Sequence, residues 1–198
     1  LGTDGSGAED LLIPAGGGRL PHPKNAEEYA PYCARLADPQ GAPWLLHSTW
    51  MDGAAIFAFL QVVIPTLSKD LLNYAGKTPQ DVDHLVLHQA NKQIMSNIAH
   101  LSGFELEKTP MQSFSKYGNQ SIASIPIALC DALRKELQEG RQTLLLIGFG
   151  IGLSWGAAII STESIFCSGV HDFEKPANHP TPESILAHWR QKITGEPQ

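Results

Sequence analysis

The sequence predicts an α/β fold in which helices cover both faces of a sheet, and three observations support that prediction. Residues 85–87 are apolar in succession rather than in alternation, as in a strand that is buried on both faces. Two further apolar runs, residues 143–149 and 153–160, flank a glycine-rich turn and predict an antiparallel pair of strands. The segments between these strands carry apolar residues at helical spacing, so helices and strands alternate along the chain.

The first fifty residues predict short elements and turns. Residues 11–13 are apolar and are followed by Pro14 and a run of glycines, which is typical of a short strand. Residues 19–50 are rich in proline, with a possible short helix between Ala26 and Leu36. We interpret residues 19–50 as an insertion over the surface that is long enough to be a lid or an interface.

Two helices are predicted around the buried strand. A long, largely apolar helix begins near Asp52 and is expected to lie between layers. Pro65 falls inside this helix and is expected to kink or break it. Residues 92–102, which precede Gly103, carry apolar side chains on one stripe and predict the second helix.

A short strand or extended loop is predicted from Met111 to Phe114. Ser121 is predicted to cap a helix that runs from Ile122 to about Glu139, with Gly140 as its stop.

The C-terminal residues predict a separate extension. We assign residues 1–161 to one domain and residues 162–198 to the extension. Thr181-Pro182-Glu183 is a favourable helix start, so a helix is predicted at about 182–194.

Composition excludes several classes of function. A net charge of −6 argues against nucleic acid or a membrane surface as a partner, and no run of the roughly 20 apolar residues that span a bilayer is predicted. The three cysteines show no metal or redox spacing, which favours the cytoplasm and no disulfides. The opening residues 1–7 are more typical of the middle of a domain, so we expect a fragment or a processed product.

Three loops contain the polar groups that chemistry would need. His88 follows the buried strand, Asn119 lies at the start of a helix, and residues 148–152 form the glycine-rich turn. An imidazole, a carboxamide and bare backbone N–H groups are all donors, and one well-placed donor stabilises an oxyanion or enolate by about 3–4 kcal/mol. A histidine at a strand end is also often purely structural, and no cysteine here lies in a recognisable nucleophile motif. His84 lies about 13 Å from His88 on a strand, so no metal site is predicted.

The ordered motifs His88–Asn91, Tyr117–Pro126 and Gly148–Gly156 resemble the C-terminal half of β-ketoacyl-ACP synthase III. Residues 4–8 and 51–57 resemble further landmarks of that half. The resemblance implies the C-terminal half of a thiolase-like αβαβα fold, one βαβαβαββ repeat, to which this chain adds a long insertion and a helical tail.

The resemblance also implies roles for particular residues. His88 and Asn119 would donate to the malonyl thioester oxygen as decarboxylation leaves an enolate, and the N–H of Ile151 would hold the oxyanion on an acyl-cysteine. Phe57 and Asn91 would line the pantetheine tunnel. The substrates would be acyl-CoA and malonyl-ACP, with no cofactor. The partners would be the N-terminal half that carries the catalytic cysteine, acyl carrier protein and a second copy of the full enzyme.

The sequence also departs from the family pattern. The basic residue expected two positions after the His88–Asn91 motif is Gln93, so carrier protein would dock on Lys92 or Lys116, or would dock more weakly. Gln120 replaces the usual threonine after the asparagine. Without the nucleophilic cysteine, this chain alone is expected to be inactive.

Three functions stay open at this point. The first is decarboxylating condensation of an acyl thioester with malonyl-ACP to give 3-oxoacyl-ACP. The second is a non-catalytic subunit with the thiolase fold that supports a cysteine-bearing partner. The third is a condensing enzyme of secondary metabolism.

Overall fold

A computed structural model describes residues 1–16, 24–33, 36–37, 41, 43–172 and 180–195 of the chain. The chain separates into two compact units. The first consists of Leu1–Leu11 with Asp52–His171, and the second of Leu12–Met51 with Asp172–Gln198. All three candidate loops lie in the first unit.

Short strands outnumber long ones. The strands are β1 (Gly2–Thr3), β2 (Leu11–Leu12), β3 (Leu36–Ala37), β4 (Pro43–Trp44), β5 (Trp50–Met51), β6 (His84–Leu87), β7 (Gln142–Gly150) and β8 (Ser154–Thr162). The α-helices are α1 (Ala26–Tyr29), α2 (Gly53–Tyr74), α3 (Lys92–Leu101), α4 (Gln112–Tyr117), α5 (Ser124–Ala132), α6 (Arg134–Glu139) and α7 (Pro182–Thr194). Single 3₁₀ turns occur at Gly5–Gly7, Ala30–Cys33, Pro79–Asp81, Leu106–Lys108 and Ser121–Ala123.

The first unit is built on a four-stranded mixed sheet in the order β1-β8-β7-β6. Strands β7 and β8 are antiparallel, with Gly148 opposite Gly156, so the predicted hairpin is confirmed. Strand β6 runs parallel to β7, with Val86 opposite Leu146. A parallel neighbour places the carboxyl ends of β6 and β7 at the same edge of the sheet.

Two apolar clusters cover the two faces of this sheet. Leu85 and Leu87 pack with residues of α2 and α3 in one cluster, while Val86 packs with residues of α5 and α6 in the other. All three side chains are fully buried, and each such side chain contributes about 1.5–3 kcal/mol to folding. The prediction of a strand covered on both faces is therefore confirmed.

Helix α2 is the long apolar helix that the sequence predicts. Asp52 caps its first turn, because its carboxylate accepts hydrogen bonds from the amides of Ala54 and Ala55 at 3.0 and 2.9 Å. Pro65 lies inside the 22-residue helix without breaking it. Within the described residues, α2 alone is long and apolar enough to cross a membrane, a test that core helices also pass. Its buried stripe of Leu60, Ile64, Ser68 and Leu72 is spaced every four residues, as in a helix packed on a core.

Two predicted elements between the sheet strands were wrong. Residues 112–117 form helix α4 rather than a strand or an extended loop. The single helix expected from 122 to 139 is divided into a 3₁₀ turn, α5 and α6, with the break at Leu133. Leu133 is only 3% exposed, so the bend occurs where its side chain enters the core against the sheet. Ser121 is the first residue of the 3₁₀ turn rather than its cap.

The second unit contains two small sheets, which pair β2 with β5 and β3 with β4. The helix expected between residues 26 and 36 is α1 followed by a 3₁₀ turn, and residues 34 and 35 lie outside the described part of the chain. Helix α7 occupies the predicted position, and Gly195 ends it in the left-handed conformation. Trp189 is 50% exposed, with the ammonium of Lys192 4.8 Å from its ring centroid.

Candidate active site

His88 lies at the edge of the sheet where β6 and β7 end. Its amide continues the parallel ladder by donating to the carbonyl of Ile147 at 2.9 Å. The imidazole is half-buried and meets the ring of Phe149 edge-on, with 5.2 Å between ring centroids. Because Phe149 precedes the turn between β7 and β8, the contact joins the His88 loop to the hairpin.

The Asn119 loop approaches the same imidazole. Helix α4 ends at Tyr117 and is followed by Gly118, whose φ of 70° is a conformation that glycine adopts without a steric penalty. The side-chain oxygen of Asn119 then accepts a hydrogen bond from the amide of Ser121 at 2.9 Å, which closes an Asx turn. A ring N–H of His88 in turn donates a hydrogen bond to the main chain of Ser121. His88 therefore contacts both of the other loops.

The environment of His88 favours its neutral form. Burial lowers the pKa of the imidazole below its ordinary value of 6.5, and the hydrogen bond with the Ser121 main chain offsets only part of that effect. At pH 7 the ring is therefore neutral, and one of its nitrogens carries a proton. A neutral imidazole N–H donates a hydrogen bond without placing a permanent charge in the site.

The geometry of Asn119 presents its amide nitrogen to a ligand. Its oxygen is occupied by the Ser121 amide, so the –NH₂ group is the free end of the side chain. The residue is exposed, and in the described part of the chain its nitrogen has no hydrogen-bond partner. An exposed donor beside a half-buried one is an arrangement that can bind a carbonyl oxygen or an oxyanion.

The hairpin turn is held in place by the N-terminal segment. Asp4 and Leu153 exchange two backbone hydrogen bonds of 2.8 Å, and the hydroxyl of Thr3 donates to the same Leu153 carbonyl at 3.0 Å. Ile151 lies at the tip of this turn and is 62% exposed. The backbone N–H groups of the turn are thus carried on a fixed frame.

The remaining predicted residues occupy different positions around this edge. Phe57 is half-buried near the start of α2. Asn91 caps α3, since its side-chain oxygen accepts from the amide of Ile94 at 2.8 Å. Lys92 is exposed as the first residue of α3.

Lys116 is engaged within the protein. Its ammonium binds the carboxylate of Asp131 at 2.8 Å, although its side chain remains 52% exposed. Docking of an acidic partner on Lys116 would have to compete with this ion pair.

Gln89 contributes to the site although the prediction assigned it no role. It is fully buried, and its side-chain nitrogen donates to the carbonyls of Leu87 at 3.0 Å and Pro110 at 3.2 Å. These bonds tie the His88 loop to the segment that enters α4. The sequence offers no signal for this role, because Pro110 is 21 residues away and is brought close only by the fold.

The chemistry of this edge is that of hydrogen-bond donors. Across the described ranges no group of three or more histidine, cysteine or acidic side chains is placed to hold a metal ion. Cys130 and Cys167 are free thiols, and Cys167 is buried.

Known proteins with similar sequences and structures share this frame. Residues 72–162 match the family model described as 3-oxoacyl-[acyl-carrier-protein (ACP)] synthase III C terminal. The chain is 34% identical over 160 residues to β-ketoacyl-[acyl-carrier-protein] synthase III of Caldanaerobacter subterraneus subsp. tengcongensis, covering 81% of this chain and 44% of the relative. It is 38% identical over 160 residues to the Rhodopirellula baltica protein of the same name, covering 80% of this chain and 41% of that relative.

Solved structures give the same result. A crystal structure of 3-oxoacyl-(acyl-carrier protein) synthase from Burkholderia xenovorans LB400 superposes with a TM-score of 0.71 at 29% identity, covering 85% of this chain and 45% of that one. The priming β-ketosynthase from the R1128 polyketide biosynthetic pathway superposes with a TM-score of 0.60 at 25% identity, covering 82% and 43%.

The fold is that of the C-terminal half of a thiolase-like protein, with a mixed sheet between two layers of helices. The chain belongs to the β-ketoacyl-[acyl-carrier-protein] synthase III family and matches the C-terminal part of its members. It spans less than half the length of the curated relatives, at 44% of the first of them.

Proposed function

We propose that this chain provides the hydrogen-bond-donor half of an active site that condenses an acyl thioester with malonyl-ACP to give 3-oxoacyl-ACP. The other half is a cysteine-bearing N-terminal region, and the two together are called the assembled enzyme below. The observation that supports the proposal most strongly is the position of His88, which contacts both Ser121 of the Asn119 loop and Phe149 of the hairpin.

The proposed first step is decarboxylation of the malonyl thioester. The bond between the α-carbon and the carboxylate breaks, CO₂ leaves, and the electron pair of that bond moves into an enolate whose charge lies on the thioester oxygen. On substrate binding this oxygen replaces the Ser121 main chain as the acceptor of the single N–H of neutral His88, and the amide –NH₂ of Asn119 donates to the same oxygen. They stabilise it more as charge develops, which lowers the barrier rather than merely tightening binding.

The proposed second step forms the carbon–carbon bond. The enolate carbon attacks the acyl group carried by the cysteine, and the backbone N–H of Ile151 donates to the resulting oxyanion. Collapse of that intermediate expels the cysteine thiolate and releases 3-oxoacyl-ACP. The bonds from Asp4 to Leu153 support this role, because they hold the hairpin that carries the N–H.

The entrance to the site follows from the same proposal. Phe57 and Asn91 line the tunnel for the pantetheine arm, and Lys92 attracts the acidic carrier protein. Lys116 is a weaker candidate for docking because it is paired with Asp131. No cofactor beyond the two thioester substrates is needed.

The wider setting is proposed on the same grounds. The assembled enzyme is a cytoplasmic homodimer in fatty-acid or related acyl-chain synthesis. Residues 1–161 form the thiolase-like C-terminal ketoacyl synthase III domain, with 19–50 as an insertion or lid, and residues 162–198 form the C-terminal extension.

Release of CO₂ from malonyl-ACP by the assembled enzyme tests the proposal. We expect His88→Ala and Asn119→Ala each to reduce the rate by about 10²–10³-fold, the usual effect of removing one donor. The controls His100→Ala and Asn73→Ala remove an exposed histidine and an exposed asparagine from α3 and α2, so their rates should match the wild type. Unchanged release by the His88 and Asn119 variants would contradict the assignment.

Two alternatives have specific support. The side-chain amide of Gln120 donates to the Gly118 carbonyl, so the departure at position 120 alters hydrogen bonding inside the loop and favours a non-catalytic subunit. The likeness to a polyketide priming ketosynthase favours a condensing enzyme of secondary metabolism. A wild-type rate no higher than that of the His88 variant would support the first. Mass spectrometry of the acyl group on the cysteine would identify the second.

A further inference from the structure

Asp131 joins two helices behind the Asn119 loop. Its carboxylate, on α5, accepts hydrogen bonds from the Ser113 hydroxyl at 3.0 Å, the Lys116 ammonium at 2.8 Å and the Tyr117 hydroxyl at 3.2 Å. All three donors lie on α4. The Asp131 side chain is only 9% exposed, whereas the side chain of Lys116 is 52% exposed, so the carboxylate is the buried end of this group of contacts.

Helix α4 depends on such contacts for its position. It has six residues, far fewer than the roughly 12–15 at which an isolated helix becomes even marginally stable in water. It ends at Tyr117, two residues before Asn119, so a displacement of α4 moves the Asn119 amide directly. Gln89 holds the entry to this segment through Pro110, and Asp131 holds the helix itself.

Asp131 and Lys116 both stay charged over a wide pH range. Burial raises the pKa of Asp131, but the hydrogen bonds from Lys116 and Ser113 and the nearby ammonium outweigh it, and the net pKa lies below the usual 3.8. The hydrogen bond to Asp131 likewise raises the pKa of Lys116 above 10.5. The carboxylate and the ammonium are therefore both charged at any pH where the enzyme would work.

We propose that Asp131 is a positioning residue for the site: through α4 it holds the Asn119 amide at the distance from His88 that the reaction requires. The inference rests on the proposed function. It also assigns Lys116 to this anchor, in which it is a structural partner rather than a docking residue. A misplacement of about 1 Å in a catalytic group can cost 10²-fold in rate, so a residue without substrate contact can control turnover.

The test compares Asp131→Ala, Asp131→Asn and Ile64→Val in the assembled enzyme. Ile64 is fully buried in α2 on the other side of the sheet, and its substitution provides a mild loss of stability unrelated to α4. For Asp131→Ala we expect kcat for CO₂ release to fall 10–100-fold with KM for malonyl-ACP changed less than about 2-fold. Amides 113–121 should also exchange hydrogen faster than in the wild type. Asp131→Asn retains one acceptor oxygen, enough for either the Ser113 or the Tyr117 hydroxyl, which now use different carboxylate oxygens. This variant should therefore recover part of the rate.

The outcomes separate this inference from the function on which it rests. If the wild type releases CO₂ and the His88 and Asn119 variants do not, but Asp131→Ala matches Ile64→Val in kcat and in exchange, the positioning role is refuted and the proposed function stands. A change in KM for malonyl-ACP without faster hydrogen exchange of amides 113–121 also refutes the positioning role. Absence of CO₂ release from the wild type would overturn both proposals.

Discussion

At the scale of single residues, the site is formed by polar side chains that are already hydrogen-bonded within the protein at one of their polar atoms. Asn119 uses its oxygen to close a turn, which directs its nitrogen outward. His88 is held between Phe149 and the main chain of Ser121. Donors fixed in this way require little reorganisation when charge develops on a bound oxygen.

The protonation of His88 leads to a prediction for pH dependence. Burial lowers the pKa of His88 below 6.5, and the proposed reaction uses the neutral ring. We therefore expect kcat for CO₂ release to be constant above about pH 6.5 and to fall only on acidification through the lowered pKa. A pH–rate profile of the assembled enzyme measures this. A rate that rises on acidification through that range would show that the imidazolium is the active form.

The sequence identified two side chains of the proposed site but not those that hold them. His88 and Asn119 lie in motifs that mark a strand end and a helix start, so local patterns indicate them. The partners of Asp131 are 14–18 residues away, and the second partner of Gln89 is 21 residues away. Such contacts depend on how α4 packs against its neighbours, and local sequence patterns contain no information about that packing.

At the scale of elements, long periodic segments were predicted well and short ones were not. Strands β6, β7 and β8 and helices α2 and α3 agree with the predicted positions. In these segments the apolar residues that set the sequence pattern are the ones that pack in the core. Helix α4 was missed because six residues carry little periodicity and its stability depends on tertiary contacts. The break between α5 and α6 was missed for a similar reason, since it depends on the burial of Leu133.

The support of the hairpin by the N-terminal segment can be tested with one pair of glycines. A Cβ on Gly7 would lie 2.6 Å from a methyl carbon of Leu153, whereas a Cβ on Gly5 would have nothing within 4 Å. We expect Gly7→Ala to destabilise the fold by about 1–3 kcal/mol, as overpacking of a buried side chain usually does. Gly5→Ala should have little effect. Denaturant unfolding of both variants measures the difference, and equal stability would contradict the proposed contact.

At the scale of the whole molecule, the fold of the first unit accounts for the placement of the three loops. A parallel pair of strands brings the ends of β6 and β7 to one edge of the sheet, and the antiparallel β8 begins at the same edge. Helix α5 starts beside them after the Asn119 loop. The organisation of residues 19–50 and 162–198 was not predictable in detail, because proline-rich and polar segments have weak periodicity.

The central claim is that His88 and Asn119 donate to the same oxygen, and a double-variant cycle tests it most directly. CO₂ release from malonyl-ACP is measured for the assembled enzyme and for His88→Ala, Asn119→Ala and the double variant. When two residues act as a unit, substitution of one already removes most of the rate enhancement that both provide. We therefore predict that the rate of the double variant lies within about tenfold of that of the slower single variant. Losses that multiply in the double variant, or single variants that retain the wild-type rate, would contradict the claim.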